Sequence, residues 1–271
     1  MSRPGTPRDP SPLNLKSVAL PVEHGGWGFL LEPVALGLLV APSAAGLAFG
    51  LAALGAFLAR HPLKLVLLDR GKALRTARTA AGERFALAYG VAAILALLAA
   101  WALAGARPLV PLLAAAPLGL VQIVYDARNR SRALAPELSG AVALGSLASA
   151  IALAGGWTLA PALALWALLG SRATASVLYV RARLRLDRGQ GPSLLPAAVS
   201  HVAAVGLAAG LFRAGWAPAL AVLALSALLL RAAHGLSPWH RPVRPQVVGL
   251  LEMGFGLLTV ALLTLGYRFR V

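Results

Sequence analysis

The feature of this chain that most constrains its fold is the alternation of long apolar runs with short polar loops. A run of about 20 apolar residues can cross the hydrocarbon core of a bilayer as a helix, because every backbone group is then bonded within the helix. The sequence is 59% hydrophobic and only 13% charged, whereas an average soluble domain is about a quarter charged. The chain is therefore predicted to be an all-α, polytopic integral membrane bundle.

The apolar runs predict about nine transmembrane helices. The first two runs are short and are separated by only three residues, 41–43, so a tight helical hairpin is expected there. The segment 1–17 is rich in proline and charge and is predicted to be a disordered tail, which leaves 18–271 as a single transmembrane domain. The predicted spans are 27–40, 44–59, 85–104, 109–125, 138–154, 157–180, 194–212, 216–230 and 247–267.

Positive charge is concentrated in every second loop. The chain has 25 Lys and Arg against nine Asp and Glu, a net charge of +16. The loops after predicted spans two, four, six and eight hold most of this excess, whereas the intervening loops hold only Arg107 and Arg213. Lys and Arg are enriched in cytoplasmic loops. The pattern predicts a bacterial cytoplasmic (inner) membrane protein with a cytoplasmic basic side and N-terminus, and an external C-terminus if nine spans are present.

The composition also excludes several classes of function. The chain has no cysteine, so disulfides, thiol catalysis and cysteine-type zinc sites are excluded. Nucleic acid is not a predicted partner, because the basic residues lie at span ends and known binding motifs are absent. The sequence contains no nucleophile elbow, phosphate-binding loop or dinucleotide-binding fingerprint.

Polar residues inside the predicted spans are the first candidates for function, because charge within lipid is costly and needs a reason. One face of the sixth span carries Arg172, Ser176, Tyr179 and Arg183 at helical spacing. This stripe predicts an anion-binding surface that points into the bundle. The alternative is that Arg172 is a structural residue paired with a carboxylate such as Glu137 or Glu252. Glu252 is a lone acid in the last span and is expected to pair with an interior arginine.

A second candidate group lies at the start of the first span. Glu23 and His24 precede two glycines, and Glu32 follows deeper in the span. We predict that Glu23 and His24 close a cavity near its mouth and serve as acid–base groups. The alternative is an ordinary helix start whose acid is satisfied locally.

Two further groups are predicted at the cytoplasmic mouth. One contains His61, Lys64 and Asp69, and the other contains Tyr125 and Arg128. These residues are candidates for contacts with an anionic ligand. The alternative is that they are juxtamembrane charges that bind lipid head groups without further specificity.

Two loops resemble the motifs of the UbiA-type intramembrane prenyltransferases. The segment 179–196 is similar to the second signature of that superfamily, with Asp187-Arg188-Gly189 followed by a Ser-Leu-Leu-Pro run. Asp69, followed by Arg75-Thr76-Ala77-Arg78, stands where the first Asp-rich motif and its Arg-Thr-x-x-Arg run are found. The segment 125–140 resembles a third motif of the same fold. The opening residues 21–33 read Pro-x-Glu-His-Gly-x-Trp and then Leu-Leu-Glu-Pro, and they resemble the YwiC-like family of bacterial membrane proteins. The resemblance to this family is expected to extend over nearly the whole chain.

The UbiA resemblance implies a UbiA-like bundle in which clustered aspartates hold Mg²⁺ against a prenyl diphosphate. Asp69 and Asp187 are the candidate catalytic acids and Mg²⁺ ligands on this basis. The other acidic places of the first motif hold His61, Lys64 or apolar residues, and Arg183 replaces an acid in the second. Arginine binds phosphate or carboxylate directly, so the basic residues are expected to bind the anionic group in place of the metal.

We therefore hypothesise that a cytoplasm-facing cavity binds the anionic head of an isoprenoid or other lipid. Prenyl transfer to a lipid-soluble acceptor is one expected activity. A non-catalytic binder or carrier of a lipid or quinone precursor is the second possibility, and a membrane assembly factor is the third. The predicted ligand contacts are His61, Lys64, Tyr125, Arg128, Arg172, Tyr179 and Arg183.

Overall fold

A computed structural model describes residues 14–21, 24–73 and 75–270, without the side chains of residues 24 and 25. Within these residues the chain is helical and contains no strand, as the apolar runs predict. A short helix crosses the predicted domain boundary at residue 18, and residues 1–13 of the predicted tail lie outside the described residues. The helices are α1 (Leu15–Ala19), α2 (His24–Val40), α3 (Ala44–Gly71), α4 (Ala77–Ala104), α5 (Leu109–Ala127), α6 (Leu134–Ala154), α7 (Leu159–Leu186), α8 (Leu195–Arg213), α9 (Ala219–Gly235) and α10 (Pro245–Phe269).

Seven of the described helices are long and apolar enough to cross a membrane: α3 to α8 and α10. The apolar part of α2 (Gly26–Val40) and α9 are shorter. Each rises only about 25 Å, against about 30 Å of hydrocarbon in a typical bilayer. The polytopic helical bundle is confirmed, and the count differs: seven described helices, not about nine, have the length of a span, although every predicted span contains a helix.

Several helices continue well beyond the predicted ends of their spans. The predicted second span ends at residue 59, but α3 continues to Gly71, so His61, Lys64 and Asp69 lie on a helix instead of in a loop. The helix α4 begins at Ala77 because Thr76 and Thr79 form a capping box. The helix α7 extends to Leu186. Arginine, lysine and leucine are good helix formers, so positive charge ends the apolar run without ending the helix.

Consecutive helices cross the bundle in alternating directions and are joined by short connections. The ends of α3, α5, α7 and α9 therefore lie together with the starts of α4, α6, α8 and α10, and we call this side the basic end. The helix α1 packs against α3 and α4. The helices α3, α4 and α5 form one group with α1, and α7 to α10 form a second group with α2. The two groups meet through α6 and through the contact of α2 with α3.

The main apolar core lies in the half of the bundle away from the basic end. Its buried members include Leu36 of α2, Ala148 of α6, Leu165 of α7, Leu225 of α9 and Leu263 of α10. Many other members are alanines, which let the helices approach closely. The helix α4 is different, because only 11% of its apolar window is buried inside the protein. It therefore presents most of its surface to lipid.

The contact between α2 and α6 depends on a glycine. A Cβ at Gly37 would lie 2.8 Å from the Cβ of Ile151 and 3.3 Å from the carbonyl oxygen of Ala148. We expect Gly37→Ala to destabilise the protein by about 1–3 kcal/mol, because an added methyl group would overpack this contact. Gly90→Ala on α4 is the matched control, since a Cβ there meets no atom within 4 Å. Thermal unfolding in detergent checks both variants, and equal melting temperatures would contradict this packing.

Candidate functional site

Each acidic side chain in the described part of the chain forms an ion pair with an arginine. Two of these pairs, Arg70–Glu83 and Arg181–Glu137, are substantially exposed at the basic end. The others place at least one partner in a buried position. The pairs are Glu32–Arg172, Asp69–Arg78, Glu83–Arg70, Asp126–Arg60, Glu137–Arg181, Asp187–Arg183 and Glu252–Arg231.

The most deeply buried pair joins α2 to α7. The guanidinium of Arg172 lies 2.6 Å from a carboxylate oxygen of Glu32, and the two side chains are 2% and 10% exposed. A second nitrogen of Arg172 donates to the backbone carbonyl of Glu252 on α10 at 3.3 Å. A Cβ at Gly256 would collide with both Glu32 and Arg172. Glycine at this position therefore allows α10 to pack directly against the ion pair.

A second buried pair joins α9 to α10. Arg231 pairs with Glu252, and its guanidinium carbon lies 4.0 Å from the ring centroid of Tyr179 and 5.2 Å from that of Phe255. The contact with Tyr179 is short enough for a cation–π interaction. Together, Arg172 and Arg231 connect α2, α7, α9 and α10 through charge.

His201 of α8 completes this cluster. Its Nδ1 lies 2.7 Å from the carbonyl oxygen of Ala197, which assigns the ring proton to Nδ1. Its Nε2 lies 3.4 Å from a guanidinium nitrogen of Arg231 and must act as an acceptor there. The geometry therefore requires neutral His201. We call Glu32, Arg172, Tyr179, His201, Arg231 and Glu252 the buried charge network.

Some polar atoms of this region have no hydrogen-bond partner. They are Nε of Arg172, Nε of Arg231, one carboxylate oxygen of Glu252 and the hydroxyl of Ser176, which lies on the same face of α7. An unpartnered polar group costs about 1–3 kcal/mol when buried. These atoms have bonding capacity that the described contacts of the network do not use.

Arg183 lies at the end of α7 and is held by protein partners. Its Nε donates to both carboxylate oxygens of Asp187 at 3.0 Å, and Nη1 donates to the carbonyl of Gly235 at 2.7 Å. Nη2 donates to the carbonyl of Arg241. Arg183 and Asp187 thus fasten the loop between α9 and α10 to the end of α7.

The predicted mouth residues lie at the basic end, between α3 and the α5–α6 connection. Lys64 donates to the hydroxyl of Ser131, and Arg60 binds Asp126 at 2.6 Å. His61 contacts the backbone carbonyl of Ser17 through Nε2 at 3.0 Å. Tyr125 is half-buried and Arg128 is exposed.

Asp69 and Asp187 do not face one another. Asp69 accepts from Arg78 and, at 2.9 Å, from the hydroxyl of Thr79, whereas Asp187 is bound to Arg183. No group of three or more potential metal ligands occurs in the described residues. This arrangement does not fit the clustered oxygen ligands that Mg²⁺ requires.

The larger of two described cavities, about 680 Å³, is an apolar groove between α6, α7 and α8. It lies on the face of α7 opposite Arg172, with Gly170 and Thr174 in its wall. A smaller cavity of about 320 Å³ lies at the basic end and is lined by Arg70, Ala73, Arg75, Thr79 and Glu83. The predicted anion contacts on α7 therefore do not line either of these cavities.

The sequence analysis correctly predicts that the stripe on α7 faces the bundle, since Arg172, Ser176, Tyr179 and Arg183 are all buried. The suggested partners of Arg172 are wrong, because Glu137 binds Arg181 and the carboxylate of Glu252 binds Arg231. The role of these residues in ligand binding stays a prediction. Glu23 lies outside the described residues, and so does the side chain of His24.

The sequence analysis does not identify two members of the network as candidates. Arg231 directly follows the predicted eighth span and is interpreted there as a loop charge, but α9 continues to Gly235 and keeps it inside the bundle. His201 lies within α8 and is 1% exposed. A search for every ionisable residue within three turns of a predicted span end would have found both.

The fold and this network define a multi-pass helical membrane protein with charge buried in its interior. Residues 20–152, just under half of the chain, match the family model described as YwiC-like protein, so this segment is similar to that family. The match ends at the close of α6, so the expected extent over nearly the whole chain is not reached. No curated protein matches the chain. No solved structure matches it either, and the resemblance to UbiA-type enzymes rests on the short motifs alone.

The buried pair of α2 and α7 can be tested for a structural role. Glu32→Leu alone should destabilise the protein by about 3–5 kcal/mol, because Arg172 and Arg231 are then left with Glu252 as the one carboxylate of this interior cluster. The double variant Glu32→Leu, Arg172→Met should recover most of this loss, because a buried ion pair contributes little net stability over apolar side chains. Thermal unfolding in detergent measures both.

Glu83→Leu is the matched control, since its partner Arg70 is exposed and the expected loss is under about 1 kcal/mol. A double variant as unstable as Glu32→Leu would show that the pair itself is required for folding.

Proposed function

We propose that this protein binds the anionic head of an isoprenoid or other lipid at its basic end. We further propose that the basic end faces the cytoplasm in the inner membrane of a bacterium. The observation that carries the proposal is the pairing of the acidic side chains with arginines. Each described carboxylate of the basic end forms its ion pair with an arginine, and the remaining cations there outnumber the carboxylates and form no ion pair with them among the described residues.

The excess positive charge lies where an anionic lipid head would be found. Lys72 and Arg75 follow α3, Arg128 follows α5, Arg188 follows α7, and Arg244 precedes α10. Each Lys or Arg near a membrane surface attracts anionic lipid by about 1 kcal/mol. A ring of such cations around the ends of apolar helices supports the binding of an amphiphile that has a negatively charged head.

The mouth between α3 and the α5–α6 connection is the place we propose for the head group. Lys64 donates only to a neutral hydroxyl there, and Arg128 is exposed. His61 and Tyr125 flank these cations on α3 and α5. The exposed apolar residues of neighbouring α4, such as Leu87, Val91 and Ile94, offer a surface for a hydrocarbon chain.

Binding at this mouth does not require a metal. The cations contact the anion directly, as arginine and lysine do in other phosphate sites. Asp69 and Asp187 keep neighbouring arginines in place. Arg172, Tyr179 and Arg183 are held by protein partners, so they would contact a ligand only after exchanging those partners.

Native mass spectrometry of the protein released from nanodiscs tests the proposal. The probes are phosphatidylglycerol and farnesyl diphosphate, compared with phosphatidylcholine. Lys64→Gln together with Arg128→Gln should weaken the binding of an anionic probe on the order of thirtyfold, because two contacts of about 1 kcal/mol each are removed. Retention of phosphatidylglycerol alone would indicate a bulk lipid, and retention of the diphosphate would indicate an isoprenoid.

The matched control is Arg107→Gln together with Arg213→Gln, which removes two charges from the opposite end and should leave anionic binding unchanged. Equal weakening by both double variants would contradict a site at the mouth. Binding that depends on added Mg²⁺, with turnover of the diphosphate, would instead favour the metal-dependent enzyme.

The orientation can be tested separately, because the chain contains no native cysteine. Single variants Arg75→Cys and Arg185→Cys should react with a membrane-impermeant thiol reagent only from the cytoplasmic side, since both positions are exposed at the basic end. Arg107→Cys should react only from the outside. Labelling of position 75 or 185 in intact cells would reverse the proposed orientation.

A further inference from the structure

The buried charge network extends from the basic end towards the middle of the bundle, with Arg172 as its deepest arginine. Arg172 is at the centre of α7 (Leu159–Leu186), about 20 Å along the helix from either end. Charge at this depth is costly and marks ion, proton or substrate pathways in membrane proteins. The lipid-binding mouth proposed above involves α3 to α6 and uses none of these residues, so the network has no role in it.

The network is joined to the basic end by a series of hydrogen bonds, ion pairs and packing contacts. Arg183 and Asp187 lie at that end, with His240 3.7 Å from Asp187. Arg183 binds the carbonyl of Gly235, and the hydroxyl of Tyr179 packs against the same glycine. Tyr179 then contacts Arg231, which leads through Glu252 to Arg172 and Glu32.

No similar polar path leads to the opposite end in the described part of the bundle. Beyond Arg172, α7 contributes Leu168, Leu165 and Ala162 to the main apolar core. Leu36 of α2 and Val260 of α10 belong to the same core. Among the described residues, the ionisable side chains linked to Arg172 therefore lead towards the basic end.

The chemistry of the network favours a proton as its ligand. Two arginines and two glutamates balance in charge, so the site as a whole does not attract a fixed anion or cation. Its members are already in direct contact, and a proton needs no additional cavity. The unpartnered carboxylate oxygen of Glu252 and the unpartnered Nε of Arg172 leave bonding capacity for a second arrangement of the pairs.

We propose that the buried charge network is a proton-binding site that exchanges with water at the basic end, and that Glu32 is the group that takes up the proton. A proton from the aqueous phase binds a carboxylate oxygen of Glu32 and makes it a neutral acid. The ion pair with Arg172 is then lost. Arg172 turns to the carboxylate of Glu252, whose backbone carbonyl it already contacts. One proton is gained, and the charge of the network rises by one.

Few charged or titratable groups surround Glu32, so proton uptake affects mainly its pair with Arg172. Arg172 of α7 faces it from one side and Gly256 of α10 from another. The helix α6, which also packs on α2, presents the apolar Leu147 and Ile151. His201 of α8 and Tyr179 of α7 are the other titratable groups, and both act on Glu32 only through Arg231 and Glu252. Proton uptake would therefore loosen α2 from α7 while strengthening the contact of α7 with α10.

Infrared difference spectroscopy of the full-length protein in nanodiscs tests the proposal. On acidification, a buried protonated carboxylic acid gives a carbonyl band at higher wavenumber than solvated acids do. The wild type should show this band, and transfer to D₂O should shift it, because the site exchanges with water. Glu32→Gln should lose the band. Glu252→Gln should reduce it, since Arg172 then lacks a second carboxylate.

The control is Glu83→Gln, which removes an acid at the basic end and should leave the band unchanged. Glu32→Asp keeps a carboxyl group and should keep a shifted band, which separates loss of the group from loss of folding. A band that persists in Glu32→Gln would overturn the proposal. A wild-type protein without such a band, or with one that D₂O does not shift, would overturn it as well and requires no variant.

Discussion

A carboxylate inside a membrane protein has little water to stabilise its charge, and the pairing of each described acid with an arginine is the constraint on which this structure depends. Guanidinium is suited to this task because it stays charged and offers several donors in a fixed plane. The pairs also determine which helices meet. Arg60 joins α3 to α5, Arg172 joins α2 to α7, and Arg231 joins α9 to α10.

This constraint divides the bundle into two halves with different chemistry. Near the basic end, ion pairs and backbone carbonyls hold the helices together, as Arg183 does for the α9–α10 loop. In the other half, leucine and alanine form the main apolar core, and the polar contacts involve neutral groups such as the hydroxyl of Ser149. Buried ion pairs add little net stability compared with apolar packing. Their concentration in one half therefore favours a functional reason for keeping charge there.

Much of the fold could be predicted from the sequence, because a bilayer leaves an apolar segment few alternatives to a helix. The distribution of Lys and Arg also identifies the basic end correctly. Helix ends could not be placed, since the residues that end an apolar run, such as Arg60 and Arg181, are themselves good helix formers. For the same reason Arg231 is taken for a loop residue, although α9 carries it into the interior.

The partners of the buried charges are harder to predict than their positions. Helical spacing places Arg172 on the inner face of α7, but spacing within one helix carries no information about which acid of another helix lies opposite. Glu32 and Glu252 are both available in the interior, and the choice depends on how α2 and α10 pack. Gly256 permits the pairing of Glu32 with Arg172, because its missing side chain leaves space for the carboxylate of Glu32 against α10.

The relation between the two proposed sites follows from this geometry. The helix α2 contacts α3 and α6 on one side and α10 on the other, and it is tied to α7 through Glu32. It therefore stands between the mouth and the buried charge network. A change in the pairing of Glu32 would shift α2 and would be transmitted to α6 through the packing of these two helices. The helix α6 begins directly after the loop that carries Arg128 and Ser131 at the mouth. Coupling of this kind requires a helix that can occupy two positions, and α2, which is short and contains Pro33, is the element of the bundle best suited to it.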